Sequence, residues 1–376
     1  MSWRGDCPGF LDRITKDIQR RIVPCIFSGK NRTEVLTEIV KSYPAVLVLS
    51  FILDAIIGDP EWLPHPVRLM GRIISFFDDK LNTENNNNGM LIFKGTIFFS
   101  IFVAFIGGAS TLLLLLCFRI GFWAGFAAEV IMSTYCLAGH DLIKHAMDVY
   151  SNRYDLERAK TAVSKIVGRD TSILSEHGVI KATVESVAEN MSDGIIAPAM
   201  YIILFGAPGG MVYKAINTMD SMIGYHSKKY EYYGKPAAIA DDIVNFIPSR
   251  VSAILIIAAA MFLKILSVMF SLNKKISSLL EMDFVNAFRI WRRDRRCHPS
   301  PNSAQTESAV AGALGLRLGG PAVYFGKTVD KPYIGEESGR DTDWNEIRRA
   351  CILMYCATLL MVLAVLILAA VFIYRP

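Results

Sequence analysis

Apolar residues in this chain gather into long blocks divided by charged stretches: Tyr43 to Ile57, Met90 to Phe118, Phe122 to Ala138, residues 194–213, Phe246 to Phe270 and Ile352 to Tyr374. About 20 apolar residues in a helix cross a hydrocarbon core of about 30 Å. Met90–Phe118 exceeds that length and predicts a tilted span. Phe122–Ala138 returns after a few residues, so the two predict an antiparallel pair. Tyr43–Ile57 is short, carries Asp54 near its end, and spans only if its polar neighbours dip inward. Residues 194–213 are interrupted by Pro198, Gly206, Pro208, Gly209 and Gly210, a pattern that fits a re-entrant or partly buried hairpin as well as a weak span. The expected fold is an all-α polytopic membrane protein with about four to six membrane helices, helical polar segments, and re-entrant or broken helices. One integral membrane domain covers 43–374, with polar regions at 58–89, 139–193, 214–245 and 271–351.

The stretch from Gly168 to Pro198, GRDTSILSEHGVIKATVESVAENMSDGIIAP, runs a charged helix straight into an apolar segment. At 100° per residue, Ile180, Val184, Val187 and Met191 share one stripe, while Glu185, Glu189 and Asp193 lie within about 80° of each other on the far side. A solvated helix face explains such a pattern. So does a Mg²⁺ site at a membrane surface, built from hard oxygen ligands beside Thr183, Ser186, Asn190 and Ser192.

Other polar motifs flank the remaining blocks. In GDPEWLPHPVRLMGRI, residues 58–73, Pro60, Pro64 and Pro66 forbid a regular helix and hold Asp59, His65 and Arg68 in a stiff, extended turn. YKAINTMDSMIGYHSKKY, residues 213–230, brings Lys214, Asn217, Asp220 and Ser221. Asp241, Asp242 and Asn245 share a helical face, with Arg250 past Pro248, a spacing that suits a metal held on a phosphate. Residues 292–326 offer Arg292, Arg293, Arg295 and Arg296, then His298, Ser300 and Asn302 in a proline-stiffened turn, then Glu307 on a helix of small residues. Gly312, Gly315, Gly319 and Gly320 serve close helix packing more readily than nucleotide binding, since no G-x-x-x-x-G-K-[ST] is present. Glu129, in the middle of an apolar block, is either a hydrogen-bonded packing group or part of a cavity wall.

Composition agrees with the blocks: 52% of the 376 residues are hydrophobic, and the mean hydropathy is +0.34. A net charge of +5 with no basic stripe gives no nucleic-acid footprint. The seven cysteines lack C-x-x-C spacing and read as buried small hydrophobes. Residues 1–42 are polar and more basic than acidic, without a signal-peptide core, and read as a retained extension. Within it Phe10, Ile14, Ile18 and Ile22 are spaced for an amphipathic helix, interfacial or packed.

Taken together, GDPEWLPHPVRLMGR at 58–72, the stretch at 168–198, YKAINTMDSMIGY at 213–225, DDIVNFIPSR at 241–250 and HPSPNSAQTESAVAGALGLRLGGPAVYFG at 298–326 resemble the adenosylcobinamide-phosphate synthases of cobalamin biosynthesis, the CbiB/CobD membrane proteins. The motifs cover most of residues 43–374 in order; the first 42 fall outside the pattern. The resemblance implies an ATP-dependent amide ligase joining adenosylcobyric acid to aminopropanol phosphate, with Mg²⁺ and ATP, at the cytoplasmic side of the cell membrane. The next membrane enzyme of nucleotide-loop assembly is the partner this pathway implies. Physical inference within that frame makes Glu185, Glu189 and Asp193, with Asp241 and Asp242, competing metal ligands. Arg68, Arg169, Lys214 and Arg250 are the candidate phosphate clamps. Asn217, Asp220, Ser221, Asn245, Ser300 and Asn302 are candidate substrate or phosphate contacts. His65, His298 and Glu307 are candidate catalytic groups, either histidine being a base for the amine or a structural hydrogen-bonder.

Topology adds a constraint. If every block crosses, residues 214–245 lie on the opposite side from 58–89, 139–193 and 271–351, and one site is split. Either 194–213 and 246–270 do not both cross, or their polar ends meet within the membrane. The basic loop favours a cytoplasmic 271–351. Two other classes share these spans: a sensor similar to the AmpE relatives of the family, which needs no convergence of charged motifs, and a transporter for a corrinoid or phosphorylated solute, which would string them along a path.

Overall fold

The computed structural model describes residues 32–60, 62–83, 87–224, 229–270, 272–324, 326–337 and 342–373. The amphipathic pattern at residues 10–22 lies outside them. The helices are α1 (Arg32–Ile57), α2 (Pro66–Leu81), α3 (Asn88–Ile120), α4 (Phe122–Thr134), α5 (Gly139–Ser151), α6 (Leu156–Val163) and α7 (Glu176–Met191). A π turn, Ser192–Ile196, leads into α8 (Ala197–Ile223), followed by α9 (Lys235–Val244), α10 (Phe246–Met269), α11 (Lys274–Leu280), α12 (Phe284–Asp294) and α13 (Ser303–Leu314). Two short antiparallel ladders, β1 (Arg317–Gly319) with β4 (Tyr333–Gly335) and β2 (Ala322–Tyr324) with β3 (Lys327–Val329), precede α14 (Asn345–Ile373).

The all-α polytopic expectation holds. Five helical stretches among the described residues are long and apolar enough to cross a membrane: Asn88–Ile120, Phe122–Ser151, Glu176–Ile223, Phe246–Met269 and Asn345–Val371. Their outer faces are apolar too: Phe93, Ile101 and Phe105 on α3 and Leu359, Leu363 and Ile367 on α14 are exposed, as helices facing lipid require. The 58–73 turn is shorter than the prolines predict. Pro66 occupies the first turn of α2, where a missing N–H costs nothing, and His65 caps it by accepting the Val67 N–H at 3.2 Å. At the other end of the chain, a Cβ on Gly312 would stand 2.6 Å from the Ala287 Cα, so α12 and α13 pack backbone to backbone. That is the packing role expected of the 312 glycine.

The third long stretch is not one rod. The rings of Tyr201 and Tyr213 stack at 5.2 Å, although twelve helical residues would separate them by about 18 Å. A Cβ on Gly210 would sit 2.7 Å from Ile202 Cγ1. The chain therefore doubles back at Gly206, whose φ of 68° and ψ of −169° break the helix. The helix entering the reversal is continuous from Glu176 through the π turn, and residues 197–223 form a helical hairpin, the broken segment that the prolines and glycines predict. Buried Glu129 sits at its tip, where Oε1 accepts the Ala207 N–H at 3.3 Å. Of the two readings of Glu129, hydrogen-bonded packing is the one observed.

Gly206→Ala places a Cβ 2.6 Å from Glu129 Oε1 in a left-handed conformation. A loss of about 1–3 kcal/mol is expected, read as a lower thermal midpoint in detergent; an unchanged midpoint would mean that the reversal does not depend on this glycine.

Candidate active site

The π turn is where the site begins. Asp193 is the second residue of the π turn Ser192–Ile196, and Glu185 lies two turns earlier on α7. The three carboxylates of this stretch are divided between two groups.

The first group is acidic. Asp193, at the end of α7, and Asp220, on the returning arm of α8, are each near enough to Asp241 on α9 and to Glu189 to feel their charge; Asp242 also acts on Asp220 and Asp241. Amides hold the buried member in place. Asp241 Oδ2 accepts from Asn245 Nδ2 at 2.9 Å, and Oδ1 accepts from Asn217 Nδ2 at 3.4 Å. The Tyr213 hydroxyl donates to Asn245 Oδ1 at 2.9 Å and lies 3.3 Å from the Asp193 carbonyl, so the hairpin itself fixes the cluster. Asp242 is tied to the 298–302 turn: its backbone carbonyl accepts from Asn302 Nδ2 at 2.9 Å, and its Oδ1 from Ser300 Oγ at 3.4 Å. Ser303 Oγ donates to Glu189 Oε1 at 3.1 Å. Lys214 brings the compensating positive charge, facing Asp193, Asp59 and Asp241.

The second group is mainly basic. Glu185 Oε2 pairs with Arg169, and its Oε1 accepts the Gly319 N–H at 2.7 Å. Both oxygens are engaged, and Glu185 stands with cations. Lys181 lies near Arg169 and Arg317, and both Lys181 and Arg317 cover the Tyr333 ring, at 5.6 Å and 3.9 Å. A cavity of about 520 Å³ opens here, lined by Arg317, Tyr333, Arg293 and Glu336 among others.

Glu307 joins the groups. It is buried on α13, and burial first, then Glu185 and Glu189, pushes its carboxyl well above the usual range. Burial, followed by Lys331, lowers His298 to about 4. Its Nδ1 accepts the Ser300 N–H at 3.1 Å, which leaves the proton on Nε2 and makes it a donor. His65 is arranged alike: Nδ1 caps α2, and Nε2 faces Asp59 Oδ1 at 2.9 Å. Both histidines use Nδ1 to accept a backbone N–H.

The other sequence candidates divide. Arg68 donates to the Pro60 and Leu63 carbonyls and pins the proline loop. Arg250 lies 3.5 Å over the Phe246 ring and donates to Asn302 Oδ1 at 3.3 Å, beside the acidic group. Ser221 is exposed next to Asp220. Sequence reasoning missed Lys181, Arg317, Lys331 and Tyr333. Only Lys181 left a signal, four residues before Glu185 on the same helix face.

Among the described residues no three His, Cys, Asp or Glu side chains stand ready as metal ligands. The acidic side chains are close enough for mutual repulsion. Their all-oxygen chemistry fits a hard divalent cation.

Charged motifs from five separated segments thus meet in the interior of a polytopic helical membrane protein, acids at one end and bases at the other. The family model described as CobD/Cbib protein matches residues 47–354. Cobalamin biosynthesis protein CbiB of Salmonella arizonae is 41% identical over 314 residues, 83% of this chain and 93% of the relative. CbiB of Salmonella typhimurium is 41% identical over 323 residues, 85% and 95%. Cobalamin biosynthesis protein CobD of Pelobacter propionicus is 38% identical over 329 residues, 87% and 95%. No solved structure matches. The chain belongs to the CobD/CbiB family.

Burial, then Asp242 and Glu189, raises Asp241 to about 6. A carboxyl raised in the folded state favours folding below its unfolded value of about 3.9 and loses that contribution as pH climbs through 6. Wild-type stability should fall across pH 4–7 by on the order of 2–3 kcal/mol from this group. In Asp241→Asn the fall should be shallower, read from thermal midpoints at each pH; an identical slope would contradict the charge repulsion.

Proposed function

We propose that this protein is an adenosylcobinamide-phosphate synthase of cobalamin biosynthesis, an ATP- and Mg²⁺-dependent ligase forming an amide between adenosylcobyric acid and (R)-1-amino-2-propanol phosphate. Relatives of about 40% identity over most of their length are named as cobalamin biosynthesis proteins. The observation that carries the chemistry is the joined pair of groups. Acids gathered at Asp193, Asp220, Asp241, Asp242 and Glu189 suit a cation on triphosphate oxygens, and cations at Arg169, Lys181 and Arg317 suit a phosphate monoester.

A carboxylate is a poor acyl donor and must be activated. The propionate oxygen takes the γ-phosphoryl group of ATP and ADP departs; the amine nitrogen then attacks the acyl carbon, and phosphate leaves with the C–O bond. Mg²⁺, when bound, supplies charge neutralisation on the transferred group. Of the chain's residues, Asp193, Asp241 and Asp242 would hold that cation, with Glu189 beside them. Lys214 faces the same charges and can steady the phosphoryl oxygens. Glu307, between the groups, has a carboxyl that burial holds above the usual range and, when protonated, can donate to the carbonyl oxygen as negative charge develops. The amine's proton goes to a carboxylate of the acidic group, because both histidines already spend Nδ1 on backbone N–H groups. Arg169, oriented by Glu185, positions the aminopropanol phosphate. The site opens towards the cytoplasmic face of the cell membrane, where ATP is present and the next membrane enzyme of nucleotide-loop assembly could take the product. A sensor has no need of such convergence, and a transporter would spread the groups along a path.

Purified protein with adenosylcobyric acid, aminopropanol phosphate and Mg-ATP should form the amide. Asp193→Asn and Asp241→Asn should each lower turnover by about 10²–10³-fold and raise the Mg²⁺ requirement. Glu185→Gln should raise KM for aminopropanol phosphate with Mg²⁺ dependence unchanged. No product from wild type, with uptake of the corrinoid into vesicles, would replace the ligase by a transporter.

A further inference from the structure

A second cavity, of about 300 Å³, lies between the start of α10, the end of α12 and the start of α13. Its walls are apolar, Phe246, Ile254 and Trp291, but three guanidinium groups reach it: Arg250, Arg295 and Arg296. They stand close enough for Arg295 and Arg296 to act on Arg250 as like charges. Among the described residues no carboxylate pairs with any of the three. The nearest in sequence, Asp294, is gripped by Arg293 at 2.6 Å and accepts the Gly335 N–H at 2.9 Å. Two of the arginines lie over rings, Arg250 at 3.5 Å over Phe246 and Arg295 at 5.0 Å over Trp291, and the side-chain acceptors of Arg250, Ser249 Oγ and Asn302 Oδ1, are uncharged. Rings attract the cation without cancelling its charge. Three uncompensated cations beside an apolar wall call for an anion that carries apolar mass.

The surface continuing from the cavity has that shape. Ile254, Met261, Ile265 and Val268 are all exposed on α10, and at 100° per residue they fall on one narrow stripe with Arg250. From Ile254 to Val268 the stripe runs about 21 Å along the helix, enough for the acyl chain of one leaflet, about 15 Å. We propose that this cavity binds the headgroup of an anionic phospholipid, with the acyl chain laid along the α10 stripe. A soluble phosphate ester satisfies the arginines but leaves the stripe uncovered, and a zwitterionic lipid covers the stripe but leaves the arginines unneutralised.

The lipid would also position the neighbouring site. Arg250 donates to Asn302 Oδ1 at 3.3 Å, and Asn302 Nδ2 donates to the Asp242 carbonyl at 2.9 Å. An anion that holds Arg250 still holds Asn302, and through it the carbonyl end of α9 that carries the acidic group. Arg295 and Arg296 are positioning residues in this arrangement.

The test uses the full-length protein in vesicles of phosphatidylcholine alone or with phosphatidylglycerol, with native mass spectrometry of the retained lipid. Wild type should retain phosphatidylglycerol preferentially. Arg295→Gln with Arg296→Gln should lose about 30-fold of that preference, about 2 kcal/mol for two basic groups near a membrane surface. The Lys/Lys double variant should keep it, which separates charge from folding. Phosphatidylglycerol should also raise the thermal midpoint of wild type more than of the Gln/Gln variant. Equal retention of both lipids by wild type, or displacement of phosphatidylglycerol by inorganic phosphate or aminopropanol phosphate, would overturn the proposal. The readout is lipid retention, so it stands or falls separately from ligase activity.

Discussion

One hydrogen bond at the tip of the α8 hairpin bears on everything else in the molecule. Backbone that turns in a membrane interior leaves N–H groups without partners, and hydrocarbon offers none. Here the reversal at Gly206 is possible because a carboxyl from a neighbouring helix, Glu129, accepts the Ala207 N–H, and because Gly206 leaves room for Glu129 and Tyr43. Pro208, two residues on, has no N–H to satisfy. Glycine, proline and a buried acid solve one problem jointly. The consequence lies near the other end of the hairpin, where Tyr213 on the returning arm bonds Asn245 and meets the Asp193 carbonyl.

The second constraint is electrostatic. Bringing Asp193, Asp220, Asp241 and Asp242 together costs free energy that folding must recover elsewhere, and burial deepens the cost. Amide donors offset part of it: Asn217 and Asn245 serve Asp241, and Asn302 serves Asp242. Lys214 offsets another part. A fold that concentrates like charge in this way is poised for a cation. At the basic group the logic is reversed, with one carboxylate, Glu185, shared between Arg169 and the Gly319 N–H beside Lys181 and Arg317.

The two groups share a boundary because α13 lies between them. Its residues from Ala304 to Leu314 are buried almost without exception, and the small side chains let it fit against α7, α10 and α12. Only Glu307 breaks the apolar or hydroxylic run with a titratable group, and it faces both Glu185 and Glu189. The long polar region at 271–351 is therefore an interior wall of the site more than an extramembrane lobe.

The membrane class, the apolar blocks and the residue types of the site are legible in the sequence, because burial in lipid imposes a one-dimensional pattern of length and polarity. Interrupting residues from Pro198 to Gly210 likewise announce a broken helix. Sequence periodicity puts Glu185, Glu189 and Asp193 on one face, but it cannot show that Glu185 pairs with Arg169 and the Gly319 N–H while Asp193 lies near Asp241 and Asp220. Lys181, Arg317, Lys331 and Tyr333 meet only because β1 and β4 bring residues 317 and 333 against α7, a long-range pairing that no spacing encodes. What tertiary structure decided was which charges share a space, since that depends on how the hairpin reverses and what its tip finds to bond.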